Sequence, residues 1–135
     1  MIEHSGFPEK YLFEDTLVEY RNLYELCQGC PEVGLLFING HGIYKNSRFG
    51  GPLLYQSGLI YLPILHRGVF IDKFKLSIID AKRNEIYISV FSESIILLKS
   101  IEPNKIYYYN NIRNTTIKEV SLNNSLFDTH KLFQS

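Results

Sequence analysis

Apolar and polar positions alternate most cleanly between Phe74 and Val90, FKLSIIDAKRNEIYISV. Phe74, Leu76 and Ile78 alternate with Lys75, Ser77 and Ile79, and Ile86, Ile88 and Val90 alternate with Glu85, Tyr87 and Ser89. A two-residue period is that of a strand, and β-branched Ile78, Ile79, Ile86 and Ile88 disfavour a helix over the same span. Between the two runs lies Asp80-Ala-Lys-Arg-Asn84, where the Asp can bond the turn's own backbone and the Asn accepts a left-handed conformation. The pattern predicts a hairpin with one fully apolar face and one mixed face.

Similar short runs recur from Gly34 onward. GLLFIN, ending at Asn39, is followed by Gly40-His41-Gly42, which reads as a tight glycine turn leading to Ile43 and Tyr44. Asn46 to Pro52 reads as loop. Leu53 to Tyr55 and Leu59 to Ile64 flank Gln56-Ser57-Gly58, a second hairpin, and Pro63 places the end of the later strand near an edge. His66-Arg67-Gly68 interrupts the pattern before the central hairpin. After it come Ile95 to Leu98, the turn Glu102-Pro103-Asn104-Lys105, Ile106 to Tyr109, and a last strand around Thr115 to Leu122.

Strand signals spaced by roughly 8–12 residues predict a mainly β fold, an antiparallel meander forming a sandwich, barrel or bent sheet. One N-terminal helix remains an option. Glu14 to Gly29 fits a helix with a Thr16/Glu19 capping box and a Gly29 stop, and fits equally a strand with Val18, Tyr20, Tyr24 and Leu26 on one face. The length of 135 residues suits a single domain over 1–135. Residues 1–12 and 123–135 read as flexible tails, with Leu126, Phe127, Leu132 and Phe133 able to dock.

Charge changes the picture more than composition does. Fourteen basic and fourteen acidic residues cancel, which removes the strong positive field expected of a nucleic-acid binder. Residues 1–32 nevertheless carry a net −5, with Lys10 and Arg21 against seven carboxylates, and the remainder carries +5. Glu14, Asp15, Glu19 and Glu25 therefore stand as an acidic surface for a basic protein partner. The amino terminus has no signal-like region, and no apolar run approaches the roughly 18 residues of a membrane span. A cytoplasmic protein with no membrane partner is expected.

Candidate chemistry is sparse. Cys27-Gln-Gly-Cys30 has redox or half-zinc spacing, but the chain has no third cysteine and its four histidines lack ligand spacing, so no metal or cofactor is expected. Arg48, Gly50 and Gly51, in RFGGP, could form a backbone nest for an anion or ligand. No nucleophile elbow occurs, and Asp72, Asp80, Glu85 and Glu93 sit in or beside turns, so no catalytic residue is assigned. Tyr107 and Tyr109 share one face of their strand and, with Tyr55, Tyr61 and Tyr87 on neighbouring strands, could form a hot spot.

The succession RNLYELCQGCPEVGLLFING, RFGGPLLYQSGLIYLPIL, FKLSIIDAKRNEIYIS and IEPNKIYYYNN resembles small β-rich bacterial proteins of unassigned function, some of which resemble immunity partners of polymorphic toxins. The resemblance rests on turn and strand chemistry over residues 20–112. It implies a non-enzymatic protein-binding module, an immunity-type protein that neutralises a cognate bacterial toxin. A small-ligand-binding β domain, with a pocket lined by tyrosines and the Arg48 to Pro52 loop, is the alternative, followed by an enzyme of unknown class. Oligomeric state stays open.

Overall fold

The computed structural model describes residues 7–26, 31–44 and 47–133. Cys27 and Cys30, with their redox or zinc reading, lie outside them. The described residues form three antiparallel sheets. The first contains β1 (Lys10–Phe13), β2 (Thr16–Glu25), β3 (Glu32–Ile38) and β4 (His41–Gly42) in that order. The five-stranded central sheet contains β5 (Leu54–Gln56), β6 (Leu59–His66), β7 (Lys73–Asp80), β8 (Glu85–Ser89) and β12 (Phe127–Lys131), ordered β12-β8-β7-β6-β5. The third contains β9 (Leu97–Glu102), β10 (Lys105–Tyr109) and β11 (Ile117–Ser121), with β10 in the middle.

The outer sheets cover opposite faces of the central one. Ile60, Leu62 and Ile64 of β6 pack with Val18, Tyr20, Leu36 and Ile38 of the first sheet. Tyr61 and Leu65 turn the other way and pack with Leu98, Ile106 and Tyr108 of the third. A sheet buried on both faces needs apolar residues at consecutive positions, which is why LIYLPIL in β6 and LSII in β7 lose the simple alternation. The mainly β expectation holds, as a layered arrangement of bent sheets with no closed barrel.

Register corrects the reading of the central hairpin. Ile79 stands opposite Ile86 and Ser77 opposite Ile88, so Ile86 and Ile88 face the first sheet. Phe74, Leu76 and Ile78 face the third sheet. The two apolar runs lie on opposite faces, because four residues, Ala81 to Asn84, separate paired Asp80 and Glu85. The turn chemistry is as expected: Arg83 N donates to Asp80 Oδ1 at 3.3 Å and Asn84 has φ 56°.

Glu14 to Gly29 resolves as strand over its described part. Its β-branched and aromatic residues bury Val18 and Tyr20 against the core, and the β1–β2 turn places Glu14 at φ 54° where a capped helix would begin. The tails also take structure. Lys10–Phe13 pairs with β2, and Phe127–Lys131 pairs along β8 while Leu132 is fully buried. An edge strand keeps polar residues on its exposed side, so the polar composition of residues 123–131 disguised a strand.

Pro63 sits inside β6. Its carbonyl accepts from Gly50 N at 2.9 Å, so its missing N–H faces the Arg48–Gly50 segment rather than β7, leaving that ladder complete from Ile60 to His66. The same segment bonds to β3 through Gly34 and Phe49, at 2.8 and 3.0 Å, and so bridges the first and central sheets. No helix among the described residues is long and apolar enough to cross a membrane.

Candidate interaction surface

The most conspicuous surface feature is the loop between β6 and β7. Val69, Phe70 and Ile71 are 92%, 98% and 63% exposed, and they follow one another at the tip of the hairpin that forms the middle of the molecule. Scattered exposed apolar residues are ordinary, but three in succession at a hairpin tip form a patch with no covering layer.

The loop is built to present them. A Cβ at Gly68 would lie 2.3 Å from the carbonyl oxygen of Ile71, so the chain folds back at a distance only glycine permits. At its base Arg67 Nη1 lies 3.4 Å from Asp72 Oδ2, and Arg67 Nη2 donates to the Tyr24 hydroxyl at 3.0 Å. Arg67 is exposed and Asp72 partly so, and surface pairs contribute only about 0–1 kcal/mol. The guanidinium's effect is positional: it ties the base of the finger to β2 of the first sheet. Tyr24 is itself 37% exposed, so an aromatic ring and an arginine adjoin the apolar tip.

The six residues expected to bind a partner do not form one surface. Glu14, Asp15, Glu19 and Glu25 belong to the first sheet and its β1–β2 turn, whereas Tyr107 and Tyr109 lie on the third sheet, across the central layer. Glu14 accepts from the Tyr55 hydroxyl at 3.1 Å, where the Phe13 and Tyr55 rings stack at 4.3 Å. Asp15 accepts from Thr16 Oγ1. Glu19 is held by Arg21 at 3.2 Å and Lys10 at 4.0 Å, with the Arg21 guanidinium also over the Phe37 ring. Tyr107 donates to Glu102 at 3.4 Å; burial, then the Glu102 and Glu119 charges, push its pKa up, opposed by Lys105. Of the six, Glu25 follows in β2 the Tyr24 that Arg67 holds.

RFGGP serves as a structural bridge. The Phe49 and Gly50 N–H groups donate to Gly34 and Pro63, and the Gly50 carbonyl accepts from the buried Tyr20 hydroxyl at 2.7 Å. A Cβ at Gly51 would meet the Phe7 ring at 2.9 Å, so that glycine serves close packing. The loop is also absent from the tyrosine-lined groove of the molecule, which is formed by Tyr61 and Tyr87. Among the described residues no cluster of three or more His, Cys, Asp or Glu could hold a metal ion.

The finger escaped the sequence reading because Val-Phe-Ile resembles the core triplets around it. The available signal was its confinement between Gly68 and Asp72, too short for a paired strand. Comparison with models of protein families, with curated proteins and with solved structures gives no match for this chain.

Proposed function

We propose that this chain is a protein-binding module whose anchor is the Val69–Ile71 finger. The observation that carries the reading is nearly complete exposure of Phe70 on a loop fixed by Gly68 and Arg67. Burying an exposed Val, Phe or Ile gains roughly 1.5–3 kcal/mol each, against about 0–1 kcal/mol for a rim ion pair, so the apolar tip dominates any contact made here. Arginine and tyrosine beside a buried aromatic form the residue mix of interface hot spots.

The more specific form is an immunity-type protein that holds a cognate toxin. The resemblance in turn and strand order and the division of charge between residues 1–32 and the remainder support it.

A photo-crosslinking residue at position 70, and for comparison at position 107, tests the anchor in native lysate. The expected result is one protein crosslinked from position 70 and absent from position 107, with unlabelled protein competing and its Phe70→Asp variant failing to compete. Equal capture from both positions, or none from position 70, overturns the reading. Co-expression with the product of the adjacent gene tests the toxin form: relief of growth arrest by the native chain and not by Phe70→Asp is expected, and persistent arrest overturns it.

A further inference from the structure

We propose that the finger of one copy docks in a groove at the far end of the β6–β7 hairpin of a second copy, so that the chain associates head to tail. The inference rests on the reading of the finger as an anchor, and adds a partner to it.

The groove has a volume of about 610 Å³ and opens on the face of the central sheet that carries the third sheet. Its floor follows from register: Tyr61, Ile78 and Tyr87 stand opposite one another across β6, β7 and β8. Asp80 and Glu85 form the next rung on that face, and Arg83 completes a charged rim on the turn. Leu122 and Phe127 wall the other side. An apolar floor with a few polar groups at one end suits an apolar knob flanked by charges.

Charge selects the occupant. Among the described residues Asp80, Glu85 and Arg83 make no ion pair. Asp80 accepts from the Arg83 backbone N–H, and Glu85 accepts from the Tyr87 hydroxyl. That hydroxyl's pKa is raised by its bond to Glu85, then by burial and by the Glu85 charge, against the Arg83 charge and with a smaller rise from Asp80. The groove thus offers two carboxylates and one arginine around an apolar floor. The finger offers the inverse set, Arg67 and Lys73 with Asp72, around an apolar tip. Association would exchange the exposed Arg67–Asp72 pair for pairs of opposite sign across the contact.

Geometry fixes the mode. The rung Tyr61–Ile78 and the rung His66–Lys73 are five residues apart along the same ladder, about 17 Å. Two complementary patches at opposite ends of one rigid element suit a heterologous contact, which builds a ring or an open row of copies. A foreign partner competes with the second copy for the finger, so self-association covers the apolar tip until that partner arrives.

Mass measured by sedimentation over a concentration series tests the proposal on the full chain. The native protein should grow with concentration past two copies. Phe70→Asp, which changes a solvent-exposed tip, and Glu85→Lys, which reverses a rim charge, should each remain single. Mixed in equal amounts, the two variants retain one finger and one groove between them and should form pairs and nothing larger. Thr129→Lys, on the exposed strand beside Tyr87, should behave as Glu85→Lys does and guards against misfolding of that variant. A single-chain mass for the native protein at every concentration overturns the proposal. So do growth that survives either variant, a mixture that stays single, and a small molecule found occupying the groove of a non-associating chain. Crosslinking of a foreign protein from position 70 by a chain that never self-associates would remove this inference and leave the anchor reading intact.

Discussion

Asn84 Oδ1 accepts from Phe133 N at 2.7 Å, while the Asn84 carbonyl accepts from Leu132 N at 3.1 Å. One turn residue therefore closes the β7–β8 hairpin and fastens the segment that follows β12. It does so at φ 56°, a conformation that costs an ordinary residue roughly 1–2 kcal/mol and an Asn or Gly less. Asn84→Ala should lose both the conformational tolerance and one hydrogen bond, about 2 kcal/mol in all, whereas Asn84→Gly keeps the tolerance and loses about 1 kcal/mol. Denaturant midpoints at constant slope check the order. Hydrogen exchange should accelerate at Leu132 and Phe133 in both variants, and unchanged protection there would refute the clamp.

Asn84 also marks the boundary between what was legible in the sequence and what was not. Its turn conformation follows from residue type and spacing, and so does the Ser57-Gly58 turn, whereas the first glycine turn falls at Asn39-Gly40 and not at Gly40-His41-Gly42, because His41 and Gly42 pair with β3 as β4. Its grip on Phe133 depends on a contact 49 residues away. Period-two patterning locates strands but is silent on which layer lies against each face, so the expected single apolar face of the hairpin divides in the structure, with Ile86 and Ile88 on the side away from Phe74, Leu76 and Ile78. Burial on both faces was legible only as continuous apolar runs. The finger was hidden for the opposite reason: an apolar triplet looks like core until the absence of a covering layer is seen.

Gly68 should separate presentation of the finger from its chemistry. In Gly68→Ala the new Cβ falls 2.3 Å from a backbone oxygen, so the turn must reopen and the tip must move. The loop is exposed, so global stability should fall by no more than about 1 kcal/mol, above the roughly 0.5 kcal/mol of ordinary surface changes because the turn is strained. Phe70→Asp leaves the turn alone and should change stability by about 0.5 kcal/mol or less. Thermal melts check both, and crosslinking from position 69 should weaken in each. Full crosslinking by the Gly68→Ala protein would show that the finger's shape is irrelevant to binding.

Two buried serines in the central sheet differ in what they leave behind. Ser89 Oγ accepts from Leu76 N at 3.0 Å and donates to the Phe91 carbonyl at 2.8 Å, and the residue is 1% exposed. Ser77 Oγ only donates, to the Leu62 carbonyl at 2.7 Å. Ser89→Ala strands the N–H of fully buried Leu76, which costs roughly 1–3 kcal/mol, whereas Ser77→Ala deprives a carbonyl of one of two lone-pair partners and costs about 1 kcal/mol or less. Urea unfolding of the two variants should place Ser89→Ala clearly below Ser77→Ala. The reverse order would mean that the Leu76 N–H finds another acceptor.

Alkali should unfold the protein through its tyrosines. Burial is the main cause that pushes the pKa of Tyr20 well up, and the pKa of Tyr108 rises through burial and then through its hydrogen bond to Glu93 Oε2 at 2.6 Å. Tyr20 donates to the Gly50 carbonyl, so both hydroxyls must keep their protons for the folded contacts to persist. In the unfolded chain each ionises near pH 10, below its folded value. Above about pH 10 the unfolded state therefore binds fewer protons than the folded state, and stability falls as pH rises toward the folded values; below that these groups give no slope. Tyrosinate absorbance should show a set of tyrosines whose ionisation appears only with loss of the β-sheet circular dichroism signal. Tyr108→Phe, which removes the proton and its partner's bond together, should flatten the alkaline fall. If all ten tyrosines ionise in one step near pH 10 while the sheet signal is unchanged, the buried hydroxyls are not holding the layers together.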